Sequence, residues 1–545
     1  MTDDAPHVAD NLLRTAEVVH AGEVSVSFEN GPTVRAKVGD ALLDIAEASQ
    51  VPIESGCRMG MCGSDPVRIV QGVDNLSSMR SAERRTLDRL GLIADCRMAC
   101  VTRVQGPVAI AVHPDLDAES EEAAVEAPPP TRAGRAARDA VRRVVIVGAG
   151  VAGVTVAEEL RHGLPDAALA LVGAEPYDFY NRMAITRLVS ESVSIDSLYL
   201  NRADWAESRR IDYRRGVAAV AIDRANAEVE TDTGERFPYD RLVLAMGARP
   251  FVPPIEGFGI AGSFVLRTID DAVQIQQHVR GRQCETAVVV GAGLLGLEAA
   301  YNIAQLGVRV FVLERGPWPL SRQLDEHGGA LLWQMVHDLG IEIVPSSEAR
   351  CVLDGDSVMG VELLDGSTIP AQLALVSTGI EPNAQLARAA GLEVAVGISV
   401  DDGMRTSDPH VFAVGDVADH SGRRHGLWPA SVEQAHVAVQ NVLGGEATYS
   451  AASPPARLKV PGIDLLSVGA VEAQGEDAHT IVLTDRSARG YRKLVVEDGR
   501  VAGAIVLGSL ELFDVVTRAV ETRLEVGSDL DALEQGDWRS LSRAA

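Results

Sequence analysis

The sequence predicts an α/β protein built on two nucleotide-binding units, with a smaller α+β module at each end. Two stretches repeat the same order of strand, glycine turn, helix, strand and acidic residue. An N-terminal segment alternates apolar and polar residues around a hairpin turn and a cysteine loop, and the C-terminal segment alternates again. A chain of 545 residues is long enough for roughly three or four domains of ~150 residues each.

Composition and charge narrow the classes of partner. Apolar residues make up 46% and charged residues 23% of the chain, which is typical of a globular protein. The formal charge of −27 argues against nucleic acid and anionic membranes as partners. The acidity serves either solubility or the steering of a basic redox partner. The apolar run from Ala287 to Val308 contains Glu298, Asn302 and Gln305, so we predict a strand, turn and helix there and no membrane span.

The first glycine motif follows a short β-branched run from Val144 to Val147, which is typical of a central parallel strand. Gly148, Gly150 and Gly153 have G-x-G-x-x-G spacing. The first glycine makes the turn, the second lets a pyrophosphate approach, and the third lets helix and strand pack closely. The next predicted strand, 168–172, leads to Glu175, a carboxylate placed to bind ribose hydroxyls.

The same motif recurs after a second apolar strand, 287–290. Gly291, Gly293 and Gly296 repeat the spacing, and the following strand, 308–313, ends at Glu314. One such motif is a weak signal, whereas two complete units in one chain predict two Rossmann-like dinucleotide-binding domains.

The cysteines are concentrated near the N-terminus. Four of the six lie between Cys57 and Cys100, and in a reducing compartment such a cluster indicates metal or redox chemistry. The polar, acidic start of the chain, residues 1–10, leads us to expect no secretory leader and a cytoplasmic protein. Cys57 and Cys62 have the spacing of the first two ligands of a plant-type 2Fe–2S site, but the third position holds Asp65.

The order of strands, turn and cysteine loop closely resembles the plant-type or adrenodoxin-like ferredoxins, which have an α+β (β-grasp) fold. The resemblance implies that Cys57 and Cys62 bind one iron, and that position 65 and Cys100 bind the other. Three alternatives remain open for the fourth ligand. Asp65 binds iron, although a carboxylate is a harder donor than a thiolate; or Cys96 replaces it; or the site is degenerate and empty.

The two glycine units, with further motifs, resemble a flavoprotein family that includes the ferredoxin reductases of oxygenase systems and the NADH-oxidising part of nitrite reductases. These further motifs are residues 180–182, 240–250, 377–379, 382–383 and 411–416. The resemblance implies that the first unit binds FAD through Gly148, Gly150, Gly153, Glu175, Arg182, Arg249 and Asp416. It implies that the second binds a nicotinamide nucleotide through Gly291, Gly293, Gly296 and Glu314.

Some residues bear on the chemistry expected at the flavin. The carboxylate of Glu314 favours NADH over NADPH, because it would repel a 2′-phosphate. Arg182, Glu298 and Trp428 are candidates for positions near the flavin, and no residue is assigned as catalytic. Residues 154–200 contain no cysteine, so we expect that electrons do not leave the flavin through a dithiol.

The predicted domains follow from these motifs. We expect a 2Fe–2S ferredoxin-like domain at 14–115, an acidic, proline-rich flexible linker at 116–140, and an FAD-binding domain at 141–265 and 386–450. We expect an NAD-binding domain at 266–385, a C-terminal α+β interface domain at 451–525, and a short helix and fraying tail at 526–545. The C-terminal domain resembles the nitrite-reductase version, which implies a dimerisation or interface module, and a homodimer is one candidate assembly.

The sequence thus predicts an NADH:ferredoxin-type oxidoreductase that carries its own ferredoxin. Hydride passes from NADH to FAD, and single electrons then pass to the fused 2Fe–2S cluster and on to an external acceptor protein. A P450 or Rieske oxygenase and another reductase are candidate acceptors. Two alternatives remain: a redox-sensing regulatory protein, and an NADH oxidase acting at the flavin.

Overall fold

A computed structural model describes residues 23–53, 56, 60–79, 81–90, 92, 95–112, 138, 140–281, 284–423, 426–450, 455–475, 478–485, 489–509, 512–527, 530–538 and 541. Cys57, nearly all of the predicted linker and the last four residues lie outside the described residues. The predictions made for them are therefore not tested by the structure.

The N-terminal module is a five-stranded mixed sheet with two helices. Its elements are β1 (Glu23–Phe28), β2 (Thr33–Lys37), α1 (Leu42–Ala48), β3 (Pro66–Gln71), a 3-10 turn (Val73–Asn75), α2 (Ser81–Leu90), β4 (Cys96–Met98) and β5 (Val108–Ala111). The strand order is β2-β1-β5-β3-β4, with β1 and β5 parallel and the other pairs antiparallel. Asn30 turns the β1–β2 hairpin with a φ of 58°, which confirms the hairpin predicted there.

Strands and helices alternate through the two glycine units. The strands are β6 (Arg143–Val147), β7 (Ala168–Gly173), β8 (Ile211–Arg215), β9 (Ala219–Asp223), β10 (Glu228–Thr231), β11 (Arg236–Pro238), β12 (Arg241–Leu244), β13 (Ala248–Pro250), β14 (Ser263–Val265), β15 (Thr286–Val290), β16 (Arg309–Leu313), β17 (Ile341–Val344), β18 (Ala349–Asp354), β19 (Val358–Leu363), β20 (Thr368–Pro370), β21 (Leu373–Val376), β22 (Ile380–Pro382), β23 (Ile398–Val400), β24 (Val411–Ala413) and β25 (Ala418–His420). The helices are α3 (Val151–Gly163), α4 (Ile185–Val189), α5 (Trp205–Ser208), α6 (Ile269–Gly281), α7 (Leu294–Ala304), α8 (Glu326–Asp338), α9 (Gln385–Ala389) and α10 (Trp428–Val442), with 3-10 turns at Arg182–Ala184, Asp196–Leu198 and Gly415–Val417.

Two parallel sheets form the cores of these units. The first has the order β24-β12-β6-β7-β8 and the second the order β14-β21-β15-β16-β17. Each strand that precedes a glycine motif, β6 or β15, is central in its sheet and buried over four consecutive residues. In open parallel sheets ligands bind beyond the carboxyl ends of the strands, so each glycine turn lies at the expected edge.

Two short strands connect the units. β13 pairs antiparallel with β22, joining Ala248 to Pro382, at the two places where the chain crosses between units. Small antiparallel sheets, β11-β10-β9 in the first unit and β18-β19-β20 in the second, precede the crossings.

The C-terminal module is an antiparallel sheet covered by helices. Its elements are β26 (Ala456–Val460), β27 (Ile463–Gly469), β28 (His479–Asp485), β29 (Gly490–Glu497), β30 (Arg500–Leu507), α11 (Phe513–Glu521) and α12 (Leu530–Glu534), with the strand order β26-β27-β30-β29-β28. The end of the chain differs from the expected fraying tail, because Trp538 is 1% exposed and packs in the core of this module. Its indole N–H donates to the Leu533 carbonyl at 3.1 Å.

A buried polar contact ties this module to the second unit. Asp325, the N-cap of α8, accepts hydrogen bonds from the Tyr491 hydroxyl at 2.5 Å and from Lys493 at 2.9 Å. Burial pushes the pKa of Asp325 upward, but these hydrogen bonds and the Lys493 charge outweigh it and hold the pKa below its ordinary 3.8.

No helix in the described part of the chain is both long enough and apolar enough to cross a membrane.

Candidate redox site

The first glycine turn is shaped to admit a ligand at its second glycine. Gly148 has a φ of +109°, and a Cβ there would lie 2.2 Å from the Ala245 carbonyl oxygen. A Cβ on Gly153 would lie 1.8 Å from the Gly148 carbonyl oxygen, because helix α3 packs directly on the turn. Around Gly150, in contrast, no described atom lies within 4 Å of the Cβ position. The turn therefore leaves open space at the N-terminus of α3, where backbone amides and the helix dipole favour a phosphate.

The carboxylate of Glu175 is held by its own unit. It accepts a hydrogen bond from the Tyr180 hydroxyl at 2.7 Å and an ion-paired one from Arg182 at 2.5 Å. Arg182 also donates to the Arg267 carbonyl at 2.6 Å. Glu175 and Arg182, two of the residues predicted to bind FAD, thus contact each other, and the loop 180–182 is fixed against the end of β7.

Asp416 and Arg249, the other two residues predicted to bind FAD, each form an ion pair. Arg267 donates to Asp416 at 2.8 Å, and the turn before it is fixed by the Gly415 amide, which donates to Gln434 at 2.7 Å. Arg249 pairs with Glu381 at 2.9 Å across the exposed β13–β22 ladder. Asp416 therefore lies at the carboxyl edge of the first sheet, whereas Arg249 lies at the crossing between units.

Trp428 opens helix α10 and is 8% exposed. Its ring lies 5.6 Å from that of Phe179, centroid to centroid. The indole N–H is buried and has no hydrogen-bond partner among the described residues. Such an unsatisfied donor is costly unless a bound group accepts from it, which fits a cofactor next to Trp428.

The second glycine turn repeats the geometry of the first. Gly291 has a φ of +111°, a Cβ on Gly296 would lie 2.0 Å from the Gly291 oxygen, and no described atom lies within 4 Å of a Cβ on Gly293. The Glu314 carboxylate accepts from the Ala292 amide at 3.0 Å and from the Gly316 amide at 2.7 Å. These bonds hold its charge against the turn, where the ribose of a bound nucleotide would lie.

Glu298 lies on α7 and is buried against the C-terminal module. Its carboxylate accepts from the Lys459 amide of β26 at 3.1 Å. Burial raises its pKa above the ordinary value, although the nearby charges of Lys459 and Arg187 oppose the shift. The structure thus shows contacts of Glu298 with the module interface, and its predicted place near the flavin stays a prediction.

The cysteine loop brings together three of the four predicted cluster ligands, and Cys57 lies outside the described residues. Asp65 is 1% exposed, and one of its oxygens accepts from the Cys100 amide at 2.5 Å. The other oxygen has no hydrogen-bond partner among the described residues. Burial, with the Cys62 sulfur beside it, raises the pKa of Asp65 to about 7.

Cys96 lies apart from this group. Strand pairing sets Cys96 opposite Arg68, whereas the Ala99 amide donates to the Asp65 carbonyl at 2.9 Å, so the neighbouring Cys100 lies beside Asp65. The Cys96 thiol is directed at Asp95, at 3.8 Å, and burial raises its pKa to about 12. The geometry favours Asp65 over Cys96 as the fourth ligand.

The loop fits an iron–sulfur cluster. The loop offers iron an unpartnered carboxylate oxygen and two buried cysteine sulfurs. The Gly60 amide also donates a hydrogen bond to the Cys100 sulfur at 3.2 Å, which is the kind of support that cluster ligands require. Among the described residues no three His, Cys, Asp or Glu side chains are grouped to hold a single metal ion. A two-iron cluster requires only two protein ligands at each iron, and one predicted ligand is not described.

The cysteine loop lies against the first glycine unit. Cys62 is fully buried in the same apolar cluster as Phe179 and Trp428, and Met61 packs against that cluster. Asn181 donates to the Ser64 hydroxyl at 2.6 Å. Sequence reasoning missed this contact, because the two residues are 117 positions apart and neither carries a pairing signal.

Two nucleotide turns, with an iron–sulfur loop packed against the first, define a nucleotide-dependent redox protein with a built-in iron–sulfur module. The chain belongs to the pyridine nucleotide-disulphide oxidoreductase family, which it matches over residues 142–441. Residues 27–105 match the 2Fe-2S iron-sulfur cluster binding domain, and residues 454–524 match the rubredoxin NAD+ reductase C-terminal domain. These families imply FAD, NAD(P)H and a 2Fe–2S cluster as cofactors, as predicted.

Two similar proteins and one solved structure support the assignment. The chain is 33% identical to an NAD(P)H nitrite reductase of Bacillus subtilis (strain 168), over 67% of the chain and 46% of that protein. It is 31% identical to the ferredoxin–NAD(+) reductase component of the biphenyl dioxygenase system of Paraburkholderia xenovorans (strain LB400), over 71% of the chain and 95% of that protein. The solved structure of the covalent putidaredoxin reductase–putidaredoxin complex is similar with a TM-score of 0.68 and 28% identity, over 74% of this chain and 99% of the other. The chain spans about half the length of the B. subtilis nitrite reductase.

Proposed function

We propose that the chain is an NADH-dependent reductase that delivers electrons through FAD and its own 2Fe–2S cluster to a separate acceptor protein. The observation that carries this proposal is the burial of Cys62 in the apolar cluster of the first unit, beside Trp428 and Phe179. When bound, NADH would supply a hydride, FAD would accept its two electrons together and release them one at a time, and the cluster would carry one electron at a time.

The first unit holds FAD in this proposal. Gly150 leaves room for the pyrophosphate at the N-terminus of α3, and Asp416 lies at the carboxyl edge of the same sheet. Trp428 supplies a buried N–H donor and, with Phe179, an apolar wall that excludes water. The side chains of Glu175 and Arg182 fix the loop beside this wall by their mutual ion pair.

The second unit binds NADH in preference to NADPH. Glu314 accepts two backbone hydrogen bonds, so its carboxylate cannot turn away from the turn without losing both. A 2′-phosphate next to this carboxylate would be repelled, whereas a ribose hydroxyl would donate a hydrogen bond to it.

The N-terminal module holds the cluster through Cys57 and Cys62 at one iron, and through Asp65 and Cys100 at the other. The buried, unpartnered oxygen of Asp65 supports this assignment over one with Cys96. A carboxylate ligand is harder than a thiolate, so the iron it binds differs electronically from one in an all-cysteine site.

The acceptor is a separate protein, of the oxygenase type or another reductase. The formal net charge of −27 would attract a basic acceptor. We place the protein in the cytoplasm as a homodimer joined by its C-terminal module. A reducing compartment suits the five described cysteines, because none of them forms a disulfide.

Cofactor analysis with rapid kinetics tests this function. Anaerobically purified protein should contain flavin, iron and sulfide, and mixing with NADH should bleach the flavin absorbance before the cluster absorbance. Rapid multiple turnover with an added acceptor is expected. Flavin without iron or sulfide would contradict the proposal. Oxygen uptake undiminished by deletion of residues 1–115 would identify an oxidase instead, and negligible turnover with NADH-dependent partner binding would identify a sensor.

A further inference from the structure

A chain of two hydrogen bonds crosses from the first glycine unit to the cysteine loop. The Asn181 amide donates to the Ser64 hydroxyl at 2.6 Å, and the Ser64 hydroxyl donates to the Cys62 sulfur at 3.3 Å. Asn181 is 3% exposed and Cys62 is fully buried, so both ends of this chain are shielded from water, and the Ser64 hydroxyl between them is half-buried. Asn181 of the first unit thereby determines whether Cys62, a predicted cluster ligand in the N-terminal module, receives a hydrogen bond from Ser64.

The direction of this chain is fixed by the structure. The side-chain oxygen of Asn181 accepts from the Met183 amide at 3.2 Å, so its nitrogen must face Ser64. A hydroxyl group has one hydrogen to donate. Because Ser64 accepts from Asn181, its own hydrogen is left for the Cys62 sulfur.

Close packing keeps the Ser64 hydroxyl in place. A Cβ added to Gly56 would lie 2.4 Å from the Cys62 sulfur and 2.6 Å from the Ser64 hydroxyl oxygen. There is thus no space on that side for another side chain or for a water molecule between the two groups. The Ser64 oxygen therefore stays within reach of the sulfur, and the contact from Asn181 determines where its hydrogen points.

We propose that Asn181 is a positioning residue of the flavin-binding unit that raises the reduction potential of the cluster while the N-terminal module is in contact with that unit. Reduction adds negative charge to the cluster and its sulfur ligands, so a hydrogen bond donated to Cys62 stabilises the reduced form. Without the hydrogen bond from Asn181 the Ser64 hydroxyl can turn away from the sulfur, and the potential falls. The contact therefore favours electron transfer onto the cluster. This inference rests on the proposed function, because it requires a cluster at Cys62.

The test is an EPR-monitored redox titration of the cluster in the full chain. Asn181→Leu removes the donor without adding charge and leaves the N-terminal module unaltered, and Ser64→Ala removes the bond to sulfur itself. Each is expected to lower the equilibrium constant for one-electron reduction by roughly tenfold, which is about 59 mV. The control is Ser27→Ala, a buried hydroxyl of the same module bonded to Thr33 at 3.0 Å, which should leave the potential unchanged.

Two further readouts separate a positioning role from a merely structural one. The double variant Asn181→Leu/Ser64→Ala should shift the potential no further than Ser64→Ala alone, because Asn181 acts through Ser64. In deuterated buffer the reduced wild-type cluster should show couplings to exchangeable deuterons, and the coupling from the Ser64 hydroxyl should disappear in Ser64→Ala while that from the Gly60 amide remains. If Ser64→Ala fails to retain its cluster, Asn181→Leu alone decides.

The outcomes are distinguishable. A wild-type potential in Asn181→Leu, or additive shifts in the double variant, would overturn this inference and leave the proposed function standing. A wild-type protein that binds flavin but no iron would overturn both.

Discussion

Replacing Arg97 by methionine should destabilise the N-terminal module strongly, because it strands a buried charge. Arg97 and Glu83 have side chains that are 5% and 1% exposed, and they form two hydrogen bonds, at 2.7 and 3.1 Å. Glu83 also accepts from the Met98 amide at 3.0 Å, immediately before the segment that carries Cys100. Removing one partner of such a pair costs about 3–5 kcal/mol, since the remaining charge is left uncompensated.

Urea unfolding followed by the visible circular dichroism of the cluster measures this cost. With a slope of about 2 kcal/mol per molar urea, the midpoint should fall by roughly 1.5–2.5 M. The matched control is Arg35→Met, which breaks an exposed pair with Glu23 at 3.5 Å and should cost less than about 1 kcal/mol. Adding Glu83→Gln to Arg97→Met removes the stranded charge and should recover part of the loss. Equal midpoints for the two arginine variants, or no recovery with Glu83→Gln, would refute the reasoning.

Four other perturbations test separate parts of the structure. Asp65→Ala should lower the iron and sulfide content and abolish cytochrome c reduction while NADH still bleaches the flavin in stopped flow; unchanged iron would exclude Asp65 as a ligand. Glu314→Gln should reduce the ratio of kcat/KM for NADH over NADPH by about tenfold or more, since it removes the repelling charge; an unchanged ratio would show that the charge does not select. Asp325 has a folded pKa below 3.8, so its stabilisation is complete above that pH and is lost as the pH falls. Asp325→Asn should therefore lower the urea midpoint at about pH 6 and by less at about pH 3, and equal losses at both would contradict the assignment. Met61→Glu places a charge in the contact with the first unit and should slow cluster reduction but not flavin reduction, whereas Val38→Glu, at a 52% exposed site, should slow neither.

The glycine turns were predictable because their geometry is local. A turn that needs a left-handed residue and a close helix approach requires glycine at the same spacing in any sequence. Both turns form where that spacing predicted them. The hairpins at Asn30 and at residues 497–500 follow from equally local turn chemistry.

Contacts between distant segments were not predictable. The position of Cys96, opposite Arg68 and apart from Asp65 and Cys100, depends on the register of β3 against β4, which the sequence does not specify. The engagement of Glu175 with Tyr180 and Arg182 depends on how a loop folds back on its own strand. The burial of Trp538 depends on a core assembled from four strands and two helices, whereas the residues around it in the sequence are polar, which is typical of an exposed terminus.

The burial of Cys62 also bears on how well the cluster resists oxygen and iron chelators. A sulfur sealed between two modules is screened from dissolved oxygen and from iron chelators as long as they stay together. Damage to the cluster at this sulfur would then be slowed while the contact is kept. A variant that opens this contact, such as Met61→Glu, would then lose its iron faster in air than the wild type.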